Sequence, residues 1–199
     1  MKTYLSSIIL ANAVILLTAC QSVPTTNQTI SDRDDIRTSM LQTDIAIEYF
    51  KSNNLNHSMV AVQQALAKNP NNALAWMMLG MTYQADGNAE NQPKAKSAFE
   101  RAIKIDPNNP QIRNNYGQFL LKNRMTSQAV NEFKLAASVI SYDNRESAYS
   151  NLGFAYLELA KQGNTSAKAA ANSAFEKALS LSRGYEPALL GLQQLKALR

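Results

Sequence analysis

Apolar residues recur three and four positions apart through most of this chain, which is the spacing of one face of an α-helix. They also recur in blocks. Trp76, Leu79, Gly80 and Tyr83 are followed by Ala95, Phe99, Ala102 and Pro107. Tyr149, Leu152, Gly153 and Tyr156 are followed by Ala171, Phe175 and Ala178. Tyr116, Gly117 and Leu120 lead to Ala129, Phe133 and Ala136, and Tyr49, Val62, Ala65 and Pro70 are remnants of an earlier copy. Each block predicts two antiparallel helices, A then B. Small residues on A (Gly80, Gly117, Gly153) and on B (Ala95, Ala129, Ala171) let the backbones approach, and Phe99, Phe133 and Phe175 are expected to fill the seam between neighbouring units. Pro70 and Pro107 lack an N–H and stop the B helices. The blocks fall at 39–72, 73–109, 110–145 and 146–185, and an amphipathic closing helix is predicted at 186–199.

The order W-x2-L-G-x2-Y, then A-x3-F, A and P, matches the tetratricopeptide repeat. The expected fold is therefore all-α: a superhelix of about four helix-turn-helix repeats with a C-terminal closing helix, over residues 39–199. One such unit cannot bury its own apolar face, so the units must stack. Two copies are stretched, at 86–93 and 162–168, and both stretches are expected in the turn between A and B.

Ahead of the repeats the pattern changes. Ile8 to Leu17 is apolar except for Asn12, follows the basic Lys2, and ends in Leu17-Thr18-Ala19-Cys20. The run is too short to span about 30 Å of hydrocarbon. It resembles a bacterial lipoprotein signal peptide. The resemblance implies that residues 1–19 are removed and that Cys20 is acylated as a membrane anchor. Gln21, where Asp would favour inner-membrane retention, points to the outer membrane, with the protein facing the periplasm. Residues 20–38 are expected to be a polar tether, too poor in apolar residues to order themselves, with Ser31 and Asp34 as a weak start signal for helix in its second half.

Composition removes several function classes. The net charge is +5, and Lys and Arg are scattered without aromatic interleaving, so no nucleic-acid partner is expected. Cys20 is the single cysteine, which leaves no disulfide or Cys-based metal site. His57 is the single histidine and is expected at the surface. No nucleophile elbow, P-loop or HExxH motif occurs. We expect no catalysis, no metal, no cofactor and no small-molecule substrate.

Protein binding is what this architecture leaves. In the repeat frame helix A lines a concave groove, with Met40, Ile47, Phe50, Gln111 and Leu190 among its positions. The expected partner-binding set is Met77, Met81, Asn114, Gln118, Leu121, Phe154 and Leu157. Methionines adapt to irregular apolar partners. Repeats that grip a C-terminal carboxylate do so with cations on helix A. The matching positions here are Thr43, Ile47, Met78, Gln111 and Asn115, so an apolar strand or helix with polar edges fits better.

Pro107-Asn108-Asn109-Pro110, then Asn114-Asn115-Tyr116-Gly117-Gln118-Phe119-Leu120, resembles the type IV pilus biogenesis lipoproteins, the PilF/PilW-type pilotins. Ser147-Ala148-Tyr149-Ser150-Asn151-Leu152-Gly153 resembles their next repeat. The resemblance implies a non-catalytic adaptor at the outer membrane. Its partner would be the secretin subunit of the type IV pilus, whose localisation and multimer assembly it would promote. The alternative is a general periplasmic repeat scaffold for peptidoglycan enzymes or outer-membrane assembly. Members of that family carry about six repeats against the four and a closing helix read here, so the resemblance does not carry over partner contacts made by their later repeats.

Overall fold

The computed structural model describes residues 26–198. Among these, all regular structure is helical, in the order α1 Thr26–Lys51, α2 Leu55–Lys68, α3 Ala73–Asp86, α4 Gln92–Ile105, α5 Pro110–Lys122, α6 Thr126–Ser138, α7 Arg145–Lys161, α8 Thr165–Leu181 and α9 Glu186–Ala197. Odd-numbered helices are the A helices and even-numbered ones the B helices, with α9 the closing helix. The repeat starts at 73 and 110 and the closing helix at 186 agree with the sequence pattern.

Local chemistry sets the helix ends. Asn54, Asn72, Asn109 and Asn164 each accept a backbone N–H in the first turn that follows, which satisfies donors left open at a helix start. In each A–B turn one residue takes the left-handed conformation: Asn53, Gly87, Arg124 and Gly163. The turn α3–α4 also holds a short 3-10 segment, Ala89–Asn91, so the first stretched segment lies where the pattern put it.

The second stretched segment does not form a longer loop. α7 ends at Lys161 and α8 begins at Thr165. The extra residues instead lengthen both helices, to 17 residues each against 13 or 14 in α2 to α6. The segment 165–170 is half alanine and has no Gly or Pro, so helix is its low-energy state. The tether boundary also moves. α1 starts at Thr26, thirteen residues ahead of the expected repeat start. No Gly or Pro interrupts 26–51, so helix propagates outward from the packed part at little cost. Lys68 Nζ pairs with Asp35 Oδ1 at 2.9 Å and ties this extension to α2.

Phenylalanines hold the hairpins together. Phe99, Phe133 and Phe175 are fully buried, each pressed on the glycine of its own A helix. A Cβ at Gly117 would sit 2.6 Å from Phe133 Cε1, and one at Gly153 would sit 2.5 Å from Phe175 Cε1. Gly191 of α9 closes on the same Phe175 ring. Phe99 also stacks with Tyr116, 5.6 Å between centroids, and meets Phe119 at 5.4 Å. Aromatic contacts thus run across the junction between repeats two and three.

Each A helix touches the next A helix, α1 to α3, α3 to α5, α5 to α7 and α7 to α9. The B helices do not contact one another among the described residues. The A row is therefore the tight inner side of the stack and the B row the splayed outer side.

Candidate functional site

The inner row has two kinds of position, one helical turn apart. The first kind is Thr43, Met77, Asn114 and Ser150, all buried. Homologous asparagines of the following helix reach back to this row. Asn115 Nδ2 donates to Met77 Sδ at 3.6 Å, and Asn151 Nδ2 donates to Asn114 Oδ1 at 3.0 Å. The second kind is Ile47, Met81, Gln118 and Phe154, half-buried or exposed. These residues form the true floor of the groove.

This division corrects part of the sequence-based set. Met77, Asn114 and Leu157 are 1%, 4% and 1% exposed and belong to the packing between helices. For Met77 and Asn114 the cause is convergence of the A helices, which lets each one cover the first half of its predecessor; Leu157, late in α7, packs instead with Phe175, Ala188 and Leu195. A periodicity reading places residues 77 and 81 on the same face, because they differ by i to i+4. It does not say which turn the neighbour covers. Asn114 is held by the Asn151 amide, and burial pushes the hydroxyl of Tyr142 above its ordinary pKa. Leu121 is half-buried against the main core, and Phe154 meets Phe175 edge-on at 5.1 Å.

What remains is a small open depression of about 260 Å³ between α1, α3 and α5. Phe50 and Met81 give it an apolar wall; Asn115 and Gln118 give it amide groups; Lys122 stands at its edge. Met81 and Gln118 are thus brought together as expected. Lys122 was missed, together with Gln84. Its signal was present: it lies four residues after Gln118 and so on the same face. The positions that would clamp a carboxylate carry no cation. Thr43 and Met78 are buried, and Asn115 Nδ2 also donates to Gln111 O.

Trp76 differs from a core aromatic. It is half-buried, and its Nε1 donates to Pro70 O at 2.8 Å. Arg113, at the same repeat position, donates from Nε to Pro107 O at 2.7 Å and pairs through Nη1 with Glu132 Oε2 at 2.6 Å. This position pins the B–A turn. His57 is exposed, 2.8 Å from Asn54 Oδ1 and beside the Tyr49 ring. Among the described residues no three His, Cys, Asp or Glu side chains stand together so as to hold a metal, and no helix is long and apolar enough to cross a membrane. Cys20 and residues 1–25 lie outside the described residues.

Known proteins share this architecture. The chain is 28% identical over 182 residues to type IV pilus assembly protein PilF of Pseudomonas aeruginosa, covering 90% of this chain and 68% of that protein. It is 25% identical over 137 residues to an uncharacterised protein of Haemophilus influenzae. The structure of Pseudomonas aeruginosa PilF superposes with a TM-score of 0.74 at 23% identity, covering 82% of this chain and 70% of that one. That of PilW, a type IV pilus biogenesis factor, superposes with a TM-score of 0.70 at 27% identity, covering 80% and 69%. Residues 22–168 match the family model of the cytochrome c-type biogenesis protein H TPR domain, so the chain belongs to that tetratricopeptide-repeat family.

Proposed function

We propose that this protein is a non-catalytic adaptor of type IV pilus biogenesis that binds the outer-membrane secretin subunit through its groove. In this reading Cys20 is acylated, the protein faces the periplasm from the outer membrane, and binding promotes secretin localisation and multimer assembly. The observation that carries it is the likeness to PilF over 90% of the chain, joined to a groove with an apolar wall and the exposed amide of Gln118. A peptide seated there would place an apolar side chain on Phe50 and Met81 and offer backbone groups to Gln118. The match to a cytochrome c-type biogenesis domain favours a second reading, a scaffold for another periplasmic assembly.

One complementation series tests both. In a deletion strain, Met81→Glu with Gln118→Glu should leave the protein folded but abolish secretin multimers and twitching motility. The outer-face control Lys104→Glu with Lys177→Glu should complement fully. Cys20→Ser should lose labelled palmitate and reduce multimers. Normal multimers in the groove variant with loss in the outer-face variant would move the site to the B row. Normal pili in the deletion strain itself would remove the pilus reading and leave the scaffold.

A further inference from the structure

Among the described residues, nothing covers the outer face of α1 as the equivalent faces of α3, α5 and α7 are covered. In the repeat frame Leu41 and Ile45 correspond to Ala75 and Leu79, to Ile112 and Tyr116, and to Ala148 and Leu152. In those repeats the preceding B helix lies against them. Ile112 and Ala148 are fully buried, and Tyr116 and Leu152 are 7% and 6% exposed. Leu41 and Ile45 are 54% and 43% exposed, and on the neighbouring edge Ile36 and Met40 are 48% and 60% exposed. An open depression of about 640 Å³ continues along this helix past Ile45 and Tyr49. What fits such a face is another helix.

The charges on the face say which helix. Arg33, Arg37, Asp44 and Glu48 are all exposed, and their spacing puts them on one stripe. Ile36 and Met40 lie along one edge of it, Leu41 and Ile45 along the other. The stripe carries Arg33 and Arg37 in its first half and Asp44 and Glu48 in its second, with Lys51 at its very end. It therefore complements its own copy laid antiparallel. With the two-fold axis between residues 40 and 41, Arg37 faces the partner's Asp44 and Arg33 faces the partner's Glu48, while Met40 and Leu41 meet their copies. Glu48 now pairs with Lys51 at 2.8 Å, but both side chains are well exposed, and such a pair exchanges at little cost. The length also fits. α1 has 26 residues, and its exposed stretch from Arg33 to Glu48 offers an overlap of about four turns.

We infer that this face is the interface of a two-fold homodimer built on antiparallel α1 helices. It is separate from the groove and leaves the groove open. The test uses two full-length copies with different affinity tags, coexpressed and extracted in mild detergent, with one tag pulled down and the other quantified. Wild-type copies should retain each other. Leu41→Glu, an exposed position whose change should not alter melting, should lower retention about a hundredfold. Arg37→Asp alone and Asp44→Arg alone should each lower it about tenfold. The double variant, which restores opposite signs across the axis, should recover to within about threefold of wild type. Wild-type copies that do not retain each other, a Leu41→Glu chain retained as well as wild type, or a double variant no better than the singles would each overturn the proposal. The first of these together with a different protein held on the face would mean the cover is heterologous.

Discussion

Tyr116 shows what one side chain does in this stack. It sits in the seam between repeats two and three, stacked on Phe99, with its hydroxyl donating to Glu100 Oε1 at 3.4 Å. Burial first, and then the charges of Glu100 and Glu132, push its pKa from 10.0 up to about 12. Between those values the folded chain keeps the phenol proton and the unfolded chain has released it. The unfolded state then binds fewer protons, so stability contributed by Tyr116 is complete below about pH 10 and drains away as pH rises toward 12. Tyr116→Phe removes that dependence. Melting temperatures of wild type and variant, followed from pH 8 to 11.5, should converge or cross as pH rises. Parallel curves would mean that the phenol is not protected in the fold. The tyrosine itself was visible as a repeat position. Its carboxylate neighbours were not, because Glu100 and Glu132 lie on different helices and read as solvated charges along the chain.

Helix junctions are held by polar groups that the apolar pattern does not report. Asn72 caps α3 through Ala75 N at 3.1 Å, and its Nδ2 donates to Ser39 Oγ at 2.9 Å and Thr43 Oγ1 at 3.0 Å. One residue thus starts a helix and fastens it to α1. Ser58 makes a similar tie, donating to Ala46 O at 3.0 Å and meeting Thr82 Oγ1 at 3.2 Å. Asn72→Ala should cost about 2–3 kcal/mol, one lost cap plus two buried hydroxyls left short of a partner. Asn72→Asp keeps the cap but not the donor and should fall between, as read from urea melts. Equal stability of all three would show that the junction is held by apolar contacts alone. Helix starts at 73 and 110 were legible because an Asn cap, a nearby proline and periodicity agree there, and the start at 186 because Pro187 and periodicity agree although Tyr185 makes no side-chain cap. The phase of the inner row was not. Met77 and Met81 carry the same chemistry, and only the approach angle of α5 decides that one is core and the other groove floor. The start of α1 escaped for a related reason: the polar composition of 26–38 says little about a helix that is extended from a packed neighbour.

Among the described residues the units contact only their neighbours in the stack, so stability should behave as a sum of repeats and junctions. The C-terminal end makes this testable. α9 buries Ala188 and Leu195 against α7 and α8, and Gly191 closes on the Phe175 ring that already fills the α7–α8 seam. No repeat follows α9 within the described residues, so α9 is the cover for Phe175 and Leu157. Ending the chain after Tyr185 should uncover those two side chains and loosen α7 and α8. The loss should fade along the array, because α3 and α4 share no contact with α9. Hydrogen exchange followed by peptide mass spectrometry should then show α8 amides exchanging at least about tenfold faster, equivalent to ~1.4 kcal/mol of local stability, with α3 and α4 changed little. Equal loss of protection from α2 to α8 would mean that the array unfolds as one cooperative block. In that case a groove variant could not be separated from a folding variant by exchange alone. Graded loss would instead allow the groove at α1, α3 and α5 to be altered and read independently of the closing end.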